Sequence, residues 1–214
     1  MQVFASLRRA LPYLGRSLSA VSFAAALPAS YSVLASQPEE GNSNIVDAIL
    51  ASWERIPNDF EGAYSQKFQC FGCSPLNAHG LQMQFYKKDG EDSVLGCTTL
   101  ASNVHSGYPG MVHGGVIATV IDDTAFWTMY TLKEKIGVTR EMHNQYLKPL
   151  QIGDTAIAKG VIISQTEKEC TVQVDVSNQK GVVCASGVVT YRFVKIPLPK
   201  DVIASRMETA SSKL

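Results

Sequence analysis

The groups best suited to chemistry sit in one stretch. Gly110-Met111-Val112-His113-Gly114-Gly115 leads into an apolar run that carries Asp122 and Asp123. Glycines in such a lead-in let a ligand approach backbone N–H groups, and the first N–H groups of a helix have no intrahelical partner. A helix starting here would polarise a carbonyl oxygen. Two turns on, each aspartate costs several kcal/mol to bury unless something compensates its charge. At about 100° per residue, Asp122 shares a stripe with Gly115, Ala118, Thr119 and Phe126, while Asp123 points elsewhere. The plainer alternative is that both carboxylates face solvent or pair with Arg140 or Lys148.

Five cysteines are an odd count. Cys97, Cys170 and Cys184 fall in apolar alternating runs, where a thiol behaves as a small buried hydrophobe. Only Cys70-Phe71-Gly72-Cys73 has a spacing used by metal sites and redox pairs. Zinc needs about four ligands, and the nearest further candidates are His79 and His105, with no second Cys-x-x-Cys. A structural loop is the expected role, and no disulfide framework follows from the pattern.

The elements that must position these groups are legible as periodicities. Asn44 to Arg55 reads as a short amphipathic helix, with Ile45, Ile49 and Trp53 on one stripe and a stop at Pro57. Gly80 to Lys87 alternates Leu81, Met83 and Phe85 against Gln82, Gln84 and Tyr86, the period of a strand. Lys87-Lys88-Asp89-Gly90 turns it into a second strand from Ser93 to Ala101. Gly114 to Leu132 is apolar almost all round, long for a strand and right for a helix buried on most faces. Four strand-like runs follow, Thr139 to Leu147, Thr155 to Ile163, Glu169 to Ser177 and Val182 to Val194, with a hairpin at Asn178-Gln179-Lys180-Gly181. Two strands, a long helix and a meander of four strands predict an α+β architecture, an antiparallel sheet wrapped around a central helix.

The 214 residues, 45% hydrophobic and 18% charged, suit one globular domain with appendages. Nineteen basic residues balance 19 acidic ones, which argues against nucleic acid as a partner. No run of roughly 20 strongly apolar residues is clear of Ser and Pro, so a multispanning membrane protein is excluded and stable membrane insertion is not expected. The head is asymmetric: the first 38 residues carry Arg8, Arg9 and Arg16 and no acid. Together with its serines and with Leu7, Leu11, Leu14 and Leu18 near helical spacing, this predicts a mitochondrial presequence over residues 1–38. The alternative is a secretory signal or single anchor, with Leu18 to Ala35 as its apolar core. Residues 39–66 then form a linker and the short helix, 67–197 the domain, and 198–214 a tail.

The stretch Gly107-Tyr-Pro-Gly-Met-Val-His-Gly-Gly-Val-Ile-Ala-Thr-Val-Ile-Asp122 closely resembles the signature of hotdog-fold acyl-CoA thioesterases of the phenylacetate-degradation type, including the mitochondrial thioesterase superfamily members. In that signature the acid stands nine residues after the histidine, as here. Cys70-Phe-Gly-Cys-Ser-Pro-Leu-Asn-Ala-His-Gly-Leu81 is similar to the entry segment of many such proteins. Gly137-Val-Thr139 through Tyr146-Leu-Lys-Pro149 resembles the strand after their helix. The likeness spans about residues 68 to 195. It departs at Gly107, where some relatives have Asn, and at His143 and Asn144, which are polar where that strand is often apolar.

The resemblance implies a role for each matching position. Asp122 is the catalytic carboxylate, acting as general base toward water or as nucleophile through an anhydride. Gly114 offers its N–H to the thioester oxygen, with His113 shaping the turn and Gly115 beside it in the substrate site. Thr139 orients the carboxylate or the water, and Gln145 contacts the coenzyme moiety. Phe126, Trp127 and Met129 are candidate linings of an acyl tunnel. Expected substrates are medium- to long-chain fatty acyl-CoA, with no metal and no cofactor beyond the coenzyme A of the substrate. Open sheet edges close by pairing of copies, so a homodimer or homotetramer is implied, with Asp122 of one copy facing Gly114 of another. A dehydratase of this fold places its acid about fourteen residues after a histidine; from His105 that position is Thr119. An inactive hotdog scaffold that binds acyl-CoA or a protein is the remaining alternative, against which stands a carboxylate set in an apolar helix.

Overall fold

The computed structural model describes residues 45–58, 60 and 68–195. The expected presequence and tail lie outside the described residues. Helix α1 (Ile45–Ser52) is shorter than the expected 44–55. Its intended last turn is taken by strand β1 (Glu54–Arg55), which pairs with Lys87 and Tyr86. A waiting sheet edge outweighs helical periodicity there, and no local pattern reports such an edge.

The other elements are β2 (Gln84–Lys87), β3 (Ser93–Thr99), the long helix α2 (Gly114–Lys133), β4 (Gly137–Tyr146), β5 (Thr155–Gln165), β6 (Glu169–Ser177) and β7 (Val183–Phe193). They build one antiparallel sheet in the order β1-β2-β3-β5-β6-β7-β4, with α2 packed across β3, β5, β6 and β7. This is the hotdog arrangement. The expected four-strand meander holds only for β5, β6 and β7. Instead of pairing with β5, β4 crosses to the far edge and pairs with β7, which sets Thr139 opposite Tyr191. β2 also starts later than expected, at Gln84, because Gln82 takes a positive φ of 47°. Leu81 and Met83 stay buried, since their N–H groups donate to Phe71 O (2.7 Å) and Gly72 O (2.8 Å) and tie the cysteine loop to the sheet.

The helix approaches the sheet closely because glycines stand beneath it. A Cβ on Gly160 would lie 2.1 Å from Thr128 Oγ1, and one on Gly96 would lie 2.4 Å from Thr124 Oγ1. Around this contact Ile117, Val120, Ile121, Ala125, Trp127 and Met129 bury their apolar surface against Val172, Val174 and Val176 of β6 and Val189 of β7. Each of the buried Val, Ile and Met side chains contributes about 1.5–3 kcal/mol. No helix among the described residues is long and apolar enough to cross a membrane.

Candidate active site

The lead-in to α2 is held by backbone bonds from Val112 N–H to Leu150 O (2.9 Å) and from His113 N–H to His105 O (2.8 Å). His113 is the N-cap: it is extended, at φ −65° and ψ 137°, and its Nδ1 accepts from Gly115 N–H at 2.9 Å. The amide of Gly115 is thereby consumed, which leaves it no donor for a ligand. Gly114 N–H, by contrast, meets no acceptor among the described residues, and its carbonyl accepts from Tyr146 Oη at 3.1 Å. The helix start therefore offers one free, oriented donor.

Asp122 is half-buried, and two hydroxyls hold its carboxylate. Thr139 Oγ1 donates to Oδ1 at 2.9 Å, and Tyr191 Oη reaches the same oxygen at 2.7 Å. These donors are cross-strand partners on β4 and β7. Burial, then the neighbouring Asp122 charge, push the Tyr191 phenol well above its ordinary range, so it remains a donor throughout the working pH range. Both hydroxyls use Oδ1, and Oδ2 is left open to a reactant. Neither aspartate pairs with a cation among the described residues: Arg140 pairs with Glu169 instead.

Asp123 turns to the cysteine loop, where its Oδ2 lies 3.8 Å from Cys70 Sγ. Cys70 and Cys73 are joined by a disulfide, Cα to Cα 5.5 Å, which replaces the expected purely structural loop by a local covalent closure. One group of potential metal donors occurs among the described residues, Cys70, Cys73 and Asp123, with donor atoms within 4.8 Å of one another. Sulfurs bonded to each other are not thiolate ligands, and three donors fall short of the about four that a zinc site takes. Burial, then the charge of Asp122, raise the Asp123 carboxyl from 3.8 to about 7. Of the other cysteines, Cys170 and Cys184 are buried and Cys97 half-buried, as their alternating runs imply.

Gln145 sits exposed on β4, opposite Ser186. Phe126 is only half-buried and stacks on Tyr130 (ring centroids 5.8 Å apart) and meets Tyr191 edge-on (6.3 Å). Met129 is fully buried in the core. Trp127 does border a cleft of about 760 Å³, together with Ile56, Met83 and Phe85. Tyr191 escapes local sequence reasoning. The signal that could have found it is its position in the inward-facing series Ala185, Gly187, Val189, Tyr191, where a buried phenol must find an acceptor.

The sequence profile of the thioesterase superfamily matches residues 109–185. No curated protein matches the chain. Among solved structures the chain is similar to a hypothetical thioesterase from Streptococcus pneumoniae TIGR4 with coenzyme A, at 27% identity over 48% of this chain and 78% of that one, TM-score 0.45. It is similar to the PaaI protein of the E. coli phenylacetic acid degradation operon at 17% identity over 53% and 80%, TM-score 0.49. It is also similar to zebra fish thioesterase superfamily member 2 at 18% identity over 76% and 91%, TM-score 0.45. The matched segment, residues 109–185, holds the free helix-start donor, Asp122 and Thr139 and resembles the thioesterase superfamily.

Proposed function

We infer that the protein hydrolyses acyl-CoA thioesters, with medium- to long-chain fatty acyl-CoA as substrate, releasing the fatty acid and coenzyme A. The observation that carries this is the division of labour on one carboxylate: Thr139 and Tyr191 fix Oδ1 of Asp122 and leave Oδ2 free. Oδ2 takes a proton from the attacking water as its oxygen bonds to the thioester carbon. Gly114 N–H faces the carbonyl oxygen that becomes anionic, a donor worth about 3–4 kcal/mol in the transition state. The C–S bond then breaks, and coenzyme A leaves as a thiol once the proton is returned.

Gly114 and Asp122 lie on one helix eight residues apart, roughly 12 Å along its axis. That is too far for both to act on one thioester, so the site needs the donor of one copy and the acid of another. Among the described residues β4 is an edge strand, with Val138 and Tyr146 about half exposed (49% and 53%), and that edge suits pairing with a second copy. The working form is accordingly a homodimer, or a homotetramer of two such pairs. Gln145, exposed on that strand, meets the coenzyme moiety, and Phe126 and Trp127 border the acyl chain. Residues 1–38, acid-free and Arg-bearing, direct the enzyme to the mitochondrion and to fatty acid metabolism there.

The test is thiol release from esters running from acetyl- to palmitoyl- and phenylacetyl-CoA, with the full chain beside Asp122→Asn. Release that is greatest on the longer chains and lost in the variant is expected. Acyl-CoA binding without release from any ester would sink the proposal.

A further inference from the structure

A second reactive constellation lies beside the site but is not used by it. The loop Cys70-Phe71-Gly72-Cys73 folds so that Cys73 N–H donates to Cys70 Sγ at 3.0 Å, a contact that favours negative charge on that sulfur when the disulfide is open. Cys70 is the accessible partner, half-buried beside the 48% exposed Phe71, while Cys73 is buried. Beneath them Asp123 presents Oδ2 to Cys70 Sγ at 3.8 Å. Gly72 makes that approach possible, because a Cβ there would stand 1.5 Å from Oδ2 and 2.5 Å from Cγ of Asp123. No cation pairs with this carboxyl among the described residues, so packing alone does not account for an acid in so apolar a helix.

We propose that Cys70 and Cys73 form a thiol–disulfide exchange centre that works against a dithiol/disulfide partner, with Asp123 giving and taking the proton of the Cys70 sulfur. In the reducing direction one thiolate of the partner attacks Cys70 Sγ. The S–S bond breaks, and its electron pair leaves on Cys73 Sγ, which takes a proton. The partner's second thiolate then attacks its own sulfur in the mixed disulfide. Cys70 is released and takes a proton from Asp123. The dithiol loses two electrons and two protons and becomes a disulfide, and the two cysteines gain them. In reverse, the Asp123 carboxylate removes the Cys70 proton and creates the attacking thiolate.

Asp123 is tuned for that exchange. Burial, then the charge of Asp122, hold its carboxyl near neutrality, at about 7. The groups facing it are Cys70 and Cys73 from the loop, Asp122 on its own helix and Tyr191 on β7, whose phenol responds to its charge.

The full-length protein would be equilibrated in dithiothreitol buffers of defined oxidised-to-reduced ratio, with free thiols trapped by alkylation and located by mass. The rate of oxidation of the reduced protein by oxidised dithiothreitol would be followed against pH. Cys70 and Cys73 are expected to appear and vanish together in one two-electron transition, with circular dichroism unchanged and Cys97, Cys170 and Cys184 silent. The wild-type rate should rise through an inflection near pH 7. In Asp123→Asn the rate at pH 7 should fall about tenfold and the inflection disappear. Gly72→Ala, which keeps the acid but pushes it off the sulfur, should also slow exchange. If Asp123→Asn exchanges as fast as wild type or faster, the carboxylate is only a repelling charge and the proposal fails. It fails equally if the wild-type profile has no inflection near pH 7, if the disulfide opens only when the protein unfolds, or if the reduced protein holds stoichiometric zinc in place of reoxidising.

Discussion

Tyr191 Oη lies 2.7 Å from Oδ1 of Asp122 and 2.6 Å from the backbone carbonyl oxygen of the same residue. One buried phenol, its single proton shared between these two oxygens, thus spans the side chain and the backbone of Asp122. Tyr191→Phe removes that hold and leaves Oδ1 to Thr139 alone. A hydrogen bond to a charged group is worth about 1.5–3 kcal/mol. Turnover should fall about tenfold or more with little change in KM, since the lost contact steadies the reacting group rather than the substrate. Steady-state kinetics check this, and an unimpaired Phe variant would remove Tyr191 from the mechanism.

The two adjacent aspartates should separate cleanly. Asp122→Asn is expected to leave folding and oligomerisation intact while reducing turnover at least a hundredfold, about 2.7 kcal/mol of activation free energy. Asp123→Asn should do much less to hydrolysis, because its carboxyl faces the cysteine loop and not the Thr139–Tyr191 pair. Kinetics of both variants beside their elution volumes settle the matter. If the second substitution were the damaging one, the reactive face of α2 would be the other one.

What could be read from the chain alone was what local spacing encodes. The helix start, Asp122 and the strand bearing Thr139 lie within 27 residues, and the apolar run of α2 declares its own burial. Tyr191 lies 69 residues from Asp122, and its contact depends on β4 crossing to pair with β7, a long-range choice no periodicity reports. Asp123 and Cys70 are 53 residues apart, and their meeting depends on a loop pinned to Leu81 and Met83 by backbone bonds. In the sequence Gly72 is legible only as part of the Cys-x-x-Cys spacing, and the carboxylate it admits is visible only in three dimensions.

Gly114→Pro tests the free donor with little cost to the helix. Proline is well tolerated at the first helical position, and His113, at φ −65° and ψ 137°, already has the backbone that a residue before proline prefers. A Cβ at this site would meet the Tyr146 ring at 3.6 Å, an ordinary contact. The variant should keep its melting temperature within a few degrees and lose about 10²–10³ in turnover, the usual effect of deleting one oxyanion donor. Activity close to wild type in a folded Gly114→Pro protein would mean that another group binds the oxygen.

A site assembled from two copies also predicts concentration dependence. Specific activity should fall on dilution in step with the loss of oligomer seen by light scattering, because a lone copy holds its donor and its acid roughly 12 Å apart. A dilute monomer retaining full specific activity would exclude the shared site.

Asp123 should also leave a mark on stability, with a sign that follows from linkage. Its carboxyl goes from 3.8 to about 7 on folding, so between these values the native state holds a proton that the unfolded chain has released. Stability from this group is therefore fully present below about pH 4, declines as pH rises toward 7 and is level above it. At about 1.4 kcal/mol per pH unit the loss is on the order of 4 kcal/mol. The amide introduced by Asp123→Asn does not titrate, so subtracting that variant's curve from the wild-type curve isolates the effect from every other carboxylate. Urea unfolding at pH 4.5, 6 and 7.5 should show the variant gaining steadily on wild type as pH rises. Parallel curves would mean that the carboxyl keeps its ordinary acidity in the folded protein and that its burial costs nothing.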